Sequence, residues 1–249
     1  MNGWELVLFG VAGFVMSIFS GIAGAGGGFV MTPLGIFLGL TPAQAISSGK
    51  FTGLSVTVGS LFGMKRVHGS VSRARVMPVM ALALVVGLLV PFAIKSFDND
   101  AYRIALGIML LLMIPVMIFK KVGIKRSEAS LIKKIFGGFL LSLALALQGI
   151  FSGGLGTLVN VVLMGMMGMT ALEANLTKRW SQLLLNSAII AGVIGSGLIV
   201  WHVVAVGVAS TFWGSYIGGR IAVSKGDEFI LRIMIILMFV SGVGLIISA

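Results

Sequence analysis

Long apolar segments that few charges interrupt are the feature that most constrains this chain. The segments cover residues 4–23, 29–40, 43–64, 76–94, 101–119, 135–152, 155–169, 171–199, 201–219 and 229–248. Several of them approach the roughly 20 residues that a helix needs to cross a bilayer. Because 58% of the residues are hydrophobic and only 10% are charged, a soluble domain would have too little polar surface to cover them. The sequence therefore predicts an all-α, multi-pass membrane protein.

Two of these segments, 29–40 and 155–169, are too short to span a bilayer, and each follows a glycine cluster. Irregular backbone at membrane depth is tolerated only where it is buried in protein or lines a cavity. We interpret each short segment as one arm of a broken or re-entrant element. The predicted fold has about eight transmembrane helices and two half-helices or re-entrant segments.

The formal net charge of +11 indicates membrane topology rather than a nucleic-acid partner. Most cations lie in three stretches, 65–75, 120–134 and 220–232, which the positive-inside rule places in the cytoplasm. The loop at 95–103 carries acidic residues that balance its cations, so it is expected on the opposite side. A location in the inner membrane with both termini outside follows from this assignment.

The two halves of the sequence resemble each other when one is shifted by 128 positions. The shift aligns Gly26 with Gly154 and Lys50 with Lys178. It also aligns the basic loop at 65–75 with the cation-free stretch 193–203, so equivalent loops are expected on opposite sides. We predict one transport domain over 1–249, composed of two inverted repeats. The first repeat covers 1–121, a cytoplasmic linker covers 122–134, and the second repeat covers 135–249.

A glycine cluster interrupts an apolar span in each half, at 21–28 and at 152–156. Unwound backbone frees amide groups, and the N-terminus of a following half-helix favours an anion. Close helix packing through small residues is the alternative, but the symmetry and the interrupted spans favour binding. The glycines predicted to contact a substrate are Gly24, Gly26, Gly27, Gly28, Gly153, Gly154 and Gly156.

Lys50 and Lys178 lie at equivalent positions inside apolar segments. A charge at the bilayer centre costs about 2.5–3.5 kcal/mol on insertion scales, so each lysine needs a bound anion or neighbouring carbonyls. A lysine that snorkels to the interface is the alternative. Arg179 points about 100° away from Lys178 around a helix, and Glu173 is its candidate partner. Ser48 and Thr177 are further predicted substrate contacts, and Thr32, Asn160 and Arg179 form a second rank.

The chemistry that these residues favour is binding and transport of a small anion, with a proton or a sodium ion as coupling ion. No nucleophile-and-base pair, metal-ligand spacing or cofactor motif is recognisable, so we predict no enzyme, no metal and no cofactor. An anion channel would use the same residues but conduct passively. A membrane scaffold would need no central site, and it would tolerate neutral substitution of both lysines.

The segment from Gly21 to Pro33 resembles the first motif of the sulfite exporter TauE/SafE family. Residues 45–59 resemble the lysine-bearing segment of one branch, and residues 174–187, 197–201 and 214–220 are similar to the second-half pattern. Leu155 and Thr157 depart from that pattern. The resemblance implies a secondary transporter of sulfite, thiosulfate or an organosulfonate, with export as the expected direction. Transport of a non-sulfur carboxylate stays open as an alternative.

Overall fold

The computed structural model describes residues 3–25, 28–93, 108, 111–112, 114–115, 131–151 and 155–247. Every regular element in these ranges is helical, which confirms the predicted all-α class for this part of the chain. Most of the predicted span at 101–119, and most of the predicted linker at 122–134, lie outside the described residues.

Four α-helices have defined bounds among the described residues of the first half. These are α1 (Gly3–Ala23), α2 (Gly28–Phe37), α3 (Pro42–Gly63) and α4 (Arg73–Ala93), with a 3-10 turn at Lys65–Ser70 before α4. The start of α3 is encoded locally: Thr41 accepts from the amide of Gln44, whose side chain accepts from the amide of Thr41 in return. This reciprocal cap and the proline at the first helical position fix where α3 begins.

Where the structure describes the second half, it also has four helices: α5 (Leu131–Phe151), α6 (Gly156–Met167), α7 (Ala171–Val193) and α8 (Trp201–Ile247). Thr170 and Glu173 form the same reciprocal cap at the start of α7. Gly226 divides α8, because its φ of 78° and ψ of −172° are not helical. α5 begins at Leu131, inside the segment 122–134 that the sequence analysis assigns to the linker.

The helices of the two halves begin at closely matching positions. A shift of 128 residues carries the start and end of α1 onto those of α5, and the starts of α2 and α4 onto those of α6 and α8. The packing is exchanged between the halves in the same way. α1 and α3 pack on α8, while the corresponding α5 and α7 pack on α4. This correspondence is the one that the predicted repeat leads us to expect, and the repeat and its inverted orientation stay predictions.

Two helices of the described residues are long and apolar enough to cross a membrane by length and composition, Gly3–Ala23 and Arg73–Phe92. α3 and α7 have lower mean hydropathy because they carry buried polar side chains, among them Lys50 on α3 and Lys178 on α7. The predicted number of spans is therefore untested. α2 and α6, with 10 and 12 residues, are too short to span at about 1.5 Å per residue.

Candidate functional site

Both buried lysines reach across to the helix that is interrupted in the other half. Lys178 Nζ donates to the carbonyl of Gly24, immediately beyond the end of α1. Lys50 Nζ donates to the carbonyl of Gly149, near the end of α5. Both lysine side chains are buried, so neither snorkels to a surface in this structure. Their contacts connect each half of the molecule to the broken helix of the other half.

Side chains of α6 and α7 also donate hydrogen bonds to the C-terminal end of α1. The last carbonyls of a helix lack intrahelical partners and carry partial negative charge. Here they accept from amide and guanidinium groups of the second half. The pairs are Arg179 Nη2 to Ser20 and, at 3.2 Å, to Gly21, Asn175 Nδ2 to Ile22 at 2.6 Å, and Asn160 Nδ2 to Ala23 at 3.0 Å.

Gly24 leaves α1 with a φ of 72°, in the left-handed region that only glycine adopts at little cost. A Cβ at this position would lie 2.5 Å from Asn160 Nδ2 and 2.7 Å from Asn175 Oδ1. The backbone conformation and the crowding therefore both require glycine. The first predicted break is observed between Ala23 and Gly28, where α2 begins.

The N-terminus of α6 lies against Lys178. A Cβ on Gly156, the first residue of α6, would collide with Lys178 Nζ and lie 2.5 Å from the carbonyl of Ala25. The absence of a side chain at Gly156 therefore lets the ammonium group approach the helix end. Because a helix N-terminus carries partial positive charge, Lys178 and α6 bring two features that attract an anion to one place.

The buried charges of the described residues do not balance. Lys50, Lys178 and Arg179 are buried, whereas Glu173 is the buried carboxylate of this part of the chain. Glu173 accepts from the amide of Thr170 at 3.2 Å, at the start of α7, while Arg179 Nε donates to Asn175 Oδ1 at 3.2 Å. A net positive charge among the buried side chains attracts an anion, so the surplus favours an anionic ligand.

Several buried polar groups near the two lysines make no hydrogen bond within the described residues. Thr32 Oγ1 lies 3.0 Å from where a Cβ on Gly49 would be, and Asn186 Nδ2 lies 3.2 Å from the corresponding position on Gly53. Such groups cost free energy unless something pairs with them. The set comprises Ser20 Oγ, Thr32 Oγ1, Ser47 Oγ, Gln148 Oε1, Asn160 Oδ1, Thr177 Oγ1, Arg179 Nη1, Gln182 Oε1 and Asn186 Nδ2.

Not every predicted site residue is placed beside the lysine contacts. The Ser48 hydroxyl accepts from the amide of Val200 at 3.0 Å, so it binds the segment before α8. Gly28 begins α2. Gly26, Gly27, Gly153 and Gly154 lie outside the described residues. A substrate contact by any of these residues stays a prediction.

Sequence reasoning missed two polar residues, Ser20 and Gln148, that directly precede Gly21 and Gly149 near the ends of α1 and α5. Both are buried, and Gln148 directly precedes Gly149, the acceptor for Lys50. The 128-residue shift superimposes Ser20 on Gln148. A polar residue at the same place in both apolar helices was the signal that could have identified them.

Comparison with known proteins now identifies the family. The family model described as "Sulfite exporter TauE/SafE" matches residues 9–245. The chain belongs to the sulfite exporter TauE/SafE family. This TauE/SafE protein is 24% identical over 229 residues to a "Probable membrane transporter protein" of Haemophilus influenzae, covering 91% of this chain and 89% of the relative. It is 22% identical over 227 residues to "Probable membrane transporter protein ORF9" of a Sinorhizobium species, covering 91% and 86%.

Membership confirms the resemblance that the glycine-rich and lysine-bearing segments carry, and it accounts for the exposed apolar surface. This TauE/SafE protein is a membrane transporter. Its exposed large hydrophobic side chains include Leu88, Leu89 and Phe92 on α4 and Phe239 on α8, which suits a chain whose outer surface faces lipid. The family match extends over both halves, so it includes both lysines and both helix breaks.

Proposed function

We propose that this protein is a secondary transporter that moves a small sulfur-containing anion across the inner membrane by alternating access, in the direction of export. The observation that carries the proposal is the pair of crossed lysine contacts. Lys50 and Lys178 are both buried and both donate to a carbonyl of the opposite half. Sulfite is a substrate candidate because the family's description names it, and thiosulfate and organosulfonates are the further candidates that the resemblance of the motifs implies.

Charge supports an anion as the substrate. A carbonyl is a neutral acceptor, whereas an oxyanion also attracts the ammonium group through the Coulomb interaction of opposite charges. An oxyanion that enters between the halves therefore competes well with Gly24 and Gly149 for the two ammonium groups. The buried hydroxyl of Thr177, which makes no hydrogen bond within the described residues, supplies a further donor for its oxygens.

The same exchange couples binding to movement. When an anion replaces Gly24 and Gly149 as the hydrogen-bond acceptor of Lys178 and Lys50, the two halves lose contacts that hold them together. A ligand shifts a conformational equilibrium only through different contacts in the two states, and the crossed lysines provide that difference. A coupling proton or sodium ion fits the same scheme.

Reconstituted vesicles test this function. Uptake of labelled sulfite, thiosulfate and sulfoacetate is measured with Lys50→Met and Lys178→Met, with Arg73→Met as the control because Arg73 is an exposed cation. We expect each lysine variant to lose about tenfold to a hundredfold in apparent affinity for the transported anion, from the loss of one charged hydrogen bond. The Arg73 variant should transport normally.

Three results would contradict the proposal. Wild-type affinity and flux in both lysine variants would remove the lysines from the site. Flux that does not saturate and ignores counter-ions would indicate a channel. Preference for acetate or another carboxylate over every sulfur anion would leave a transporter with a different substrate class.

A further inference from the structure

A basic groove opens between the end of α3 and the middle of α8, away from the two buried lysines. Its volume is about 1020 Å³, and four cations line it: Lys65, Arg66, Arg220 and Lys225. All four side chains are exposed. Phe62, at the edge of the groove, is about 18 Å along α3 from Lys50 at 1.5 Å per residue. The groove is therefore a separate feature from the candidate transport site.

The floor of the groove is a direct contact between helix main chains. A Cβ on Gly63 would collide with the carbonyl of Tyr216, and one on Gly219 would lie 2.7 Å from the carbonyl of Ser60. Small residues allow such close approach in membrane proteins. This close main-chain contact determines the distance between α3 and α8. It therefore also determines how far apart the segments that carry the four cations lie.

α3 with the 3-10 turn that follows it, and α8, both change from apolar to cationic residues at the same level. Phe62 is 60% exposed and is followed by Lys65 and Arg66, while Trp213 is 59% exposed and precedes Arg220 on the same face of α8. The helices run in parallel here, because Gly59 lies against Phe212 and Gly63 against Tyr216. An aromatic belt followed by cations is the pattern of a helix that passes from hydrocarbon into the headgroup layer.

The aromatic rings of this region form a connected set. Phe62 and Phe212 have ring centroids 6.2 Å apart, and Phe212 and Trp213 have centroids 5.4 Å apart. The Arg220 guanidinium lies 5.9 Å from the centroid of the Tyr216 ring. Acyl chains could therefore lie along a continuous apolar surface that ends at the cations.

We propose that this groove binds the phosphate headgroup of an anionic phospholipid, with the acyl chains along Phe62 and Trp213. Basic pockets at the cytoplasmic ends of membrane helices recognise such headgroups, and the predicted topology places Lys65 and Arg66 on that side. A free phosphate ion would share the cations but would gain nothing from the exposed aromatic side chains. The adjoining apolar surface is the reason for choosing the lipid.

Lipid titration of the purified full-length protein, followed by native mass spectrometry, tests the proposal. The probes are phosphatidylglycerol, phosphatidylcholine and inorganic phosphate. We expect the double variant Arg220→Gln/Lys225→Gln to bind phosphatidylglycerol about tenfold to thirtyfold more weakly, since each cation near an anionic headgroup contributes about 1 kcal/mol. The matched control is Arg73→Gln/Arg232→Gln, which removes two exposed cations outside the groove and should bind normally.

The outcomes separate a built site from general surface charge. Equal weakening in both double variants would overturn the proposal, as would equal binding of phosphatidylcholine. Displacement of the lipid by millimolar inorganic phosphate would show a free-anion site instead. The single variants Arg220→Gln and Lys225→Gln repeat the comparison if the double variant is unstable. None of these measurements depends on transport activity.

Discussion

Gly24 and Gly39 both adopt left-handed backbone, with φ of 72° and 93°, but their surroundings differ. A Cβ on Gly39 would meet nothing within 4 Å, whereas one on Gly24 would press on Asn160 and Asn175. The pair therefore separates two costs of adding a methyl group. Substitution of Gly39 measures the backbone cost alone. Substitution of Gly24 adds the cost of displacing the side chains that donate hydrogen bonds to the end of α1.

We expect Gly39→Ala to destabilise the protein by about 1–2 kcal/mol, the cost of left-handed backbone for an L-residue. Gly24→Ala should cost about 2–5 kcal/mol, because overpacking adds about 1–3 kcal/mol. Thermal unfolding of both variants in detergent measures the difference. Equal unfolding temperatures would show that Asn160 and Asn175 do not press on Gly24.

The lysines illustrate how far single residues could be predicted. A charge in an apolar segment is costly wherever it lies, so Lys50 and Lys178 could be selected from the sequence as important. Their acceptors, Gly149 and Gly24, could not be predicted. Each acceptor is about a hundred or more residues away along the chain, and only helix packing brings it near.

At the level of helices, glycines set the distance between α1 and α8. A Cβ on Gly218 would collide with the carbonyl of Ile18 and lie 2.9 Å from the Cα of Gly21. Gly214 stands one turn earlier and faces the carbonyl of Phe14. This spacing of small residues is the usual one for close helix packing in membranes. Tight packing of α1 on α8 in turn holds the C-terminal end of α1 in place.

We expect Gly218→Ala to lower stability by about 1–3 kcal/mol, because the added methyl group forces the two helices apart. Gly165→Ala is the matched control: Gly165 is exposed on α6 and a Cβ there would meet nothing within 4 Å. Its unfolding temperature should stay unchanged or rise slightly, since alanine favours helix over glycine. A similar decrease in both variants would refute the role of the α1–α8 contact.

In the whole molecule, the two halves are joined by hydrogen bonds and by helix packing. Arg179, Asn175 and Asn160 of the second half bind the end of α1, and the packing of α1 on α8 and of α5 on α4 also joins the halves. If the halves are inverted, as predicted, the two glycine breaks enter from opposite faces of the membrane. The orientation can then be tested without any substrate.

We expect both termini to face the periplasm, because the basic stretches at 65–75, 120–134 and 220–232 are assigned to the cytoplasm by the positive-inside rule. Alkaline phosphatase fused to either terminus should be active. Green fluorescent protein inserted within 122–134 should fluoresce, which controls for the opposite side. Termini on different sides, or both in the cytoplasm, would exclude this topology.

The sequence by itself determined the helical membrane class, the break after α1 and the choice of Lys50 and Lys178 as unusual residues, because hydropathy, glycine conformation and the cost of buried charge act locally along the chain. Tertiary structure alone decided which groups face each other. The crossed contacts of Lys50 and Lys178, and the hydrogen bond from the Val200 amide to Ser48, depend on segments that are distant in sequence. Local sequence patterns specify a helix and its exposed face. Which helices contact each other depends on how all the helix faces pack together.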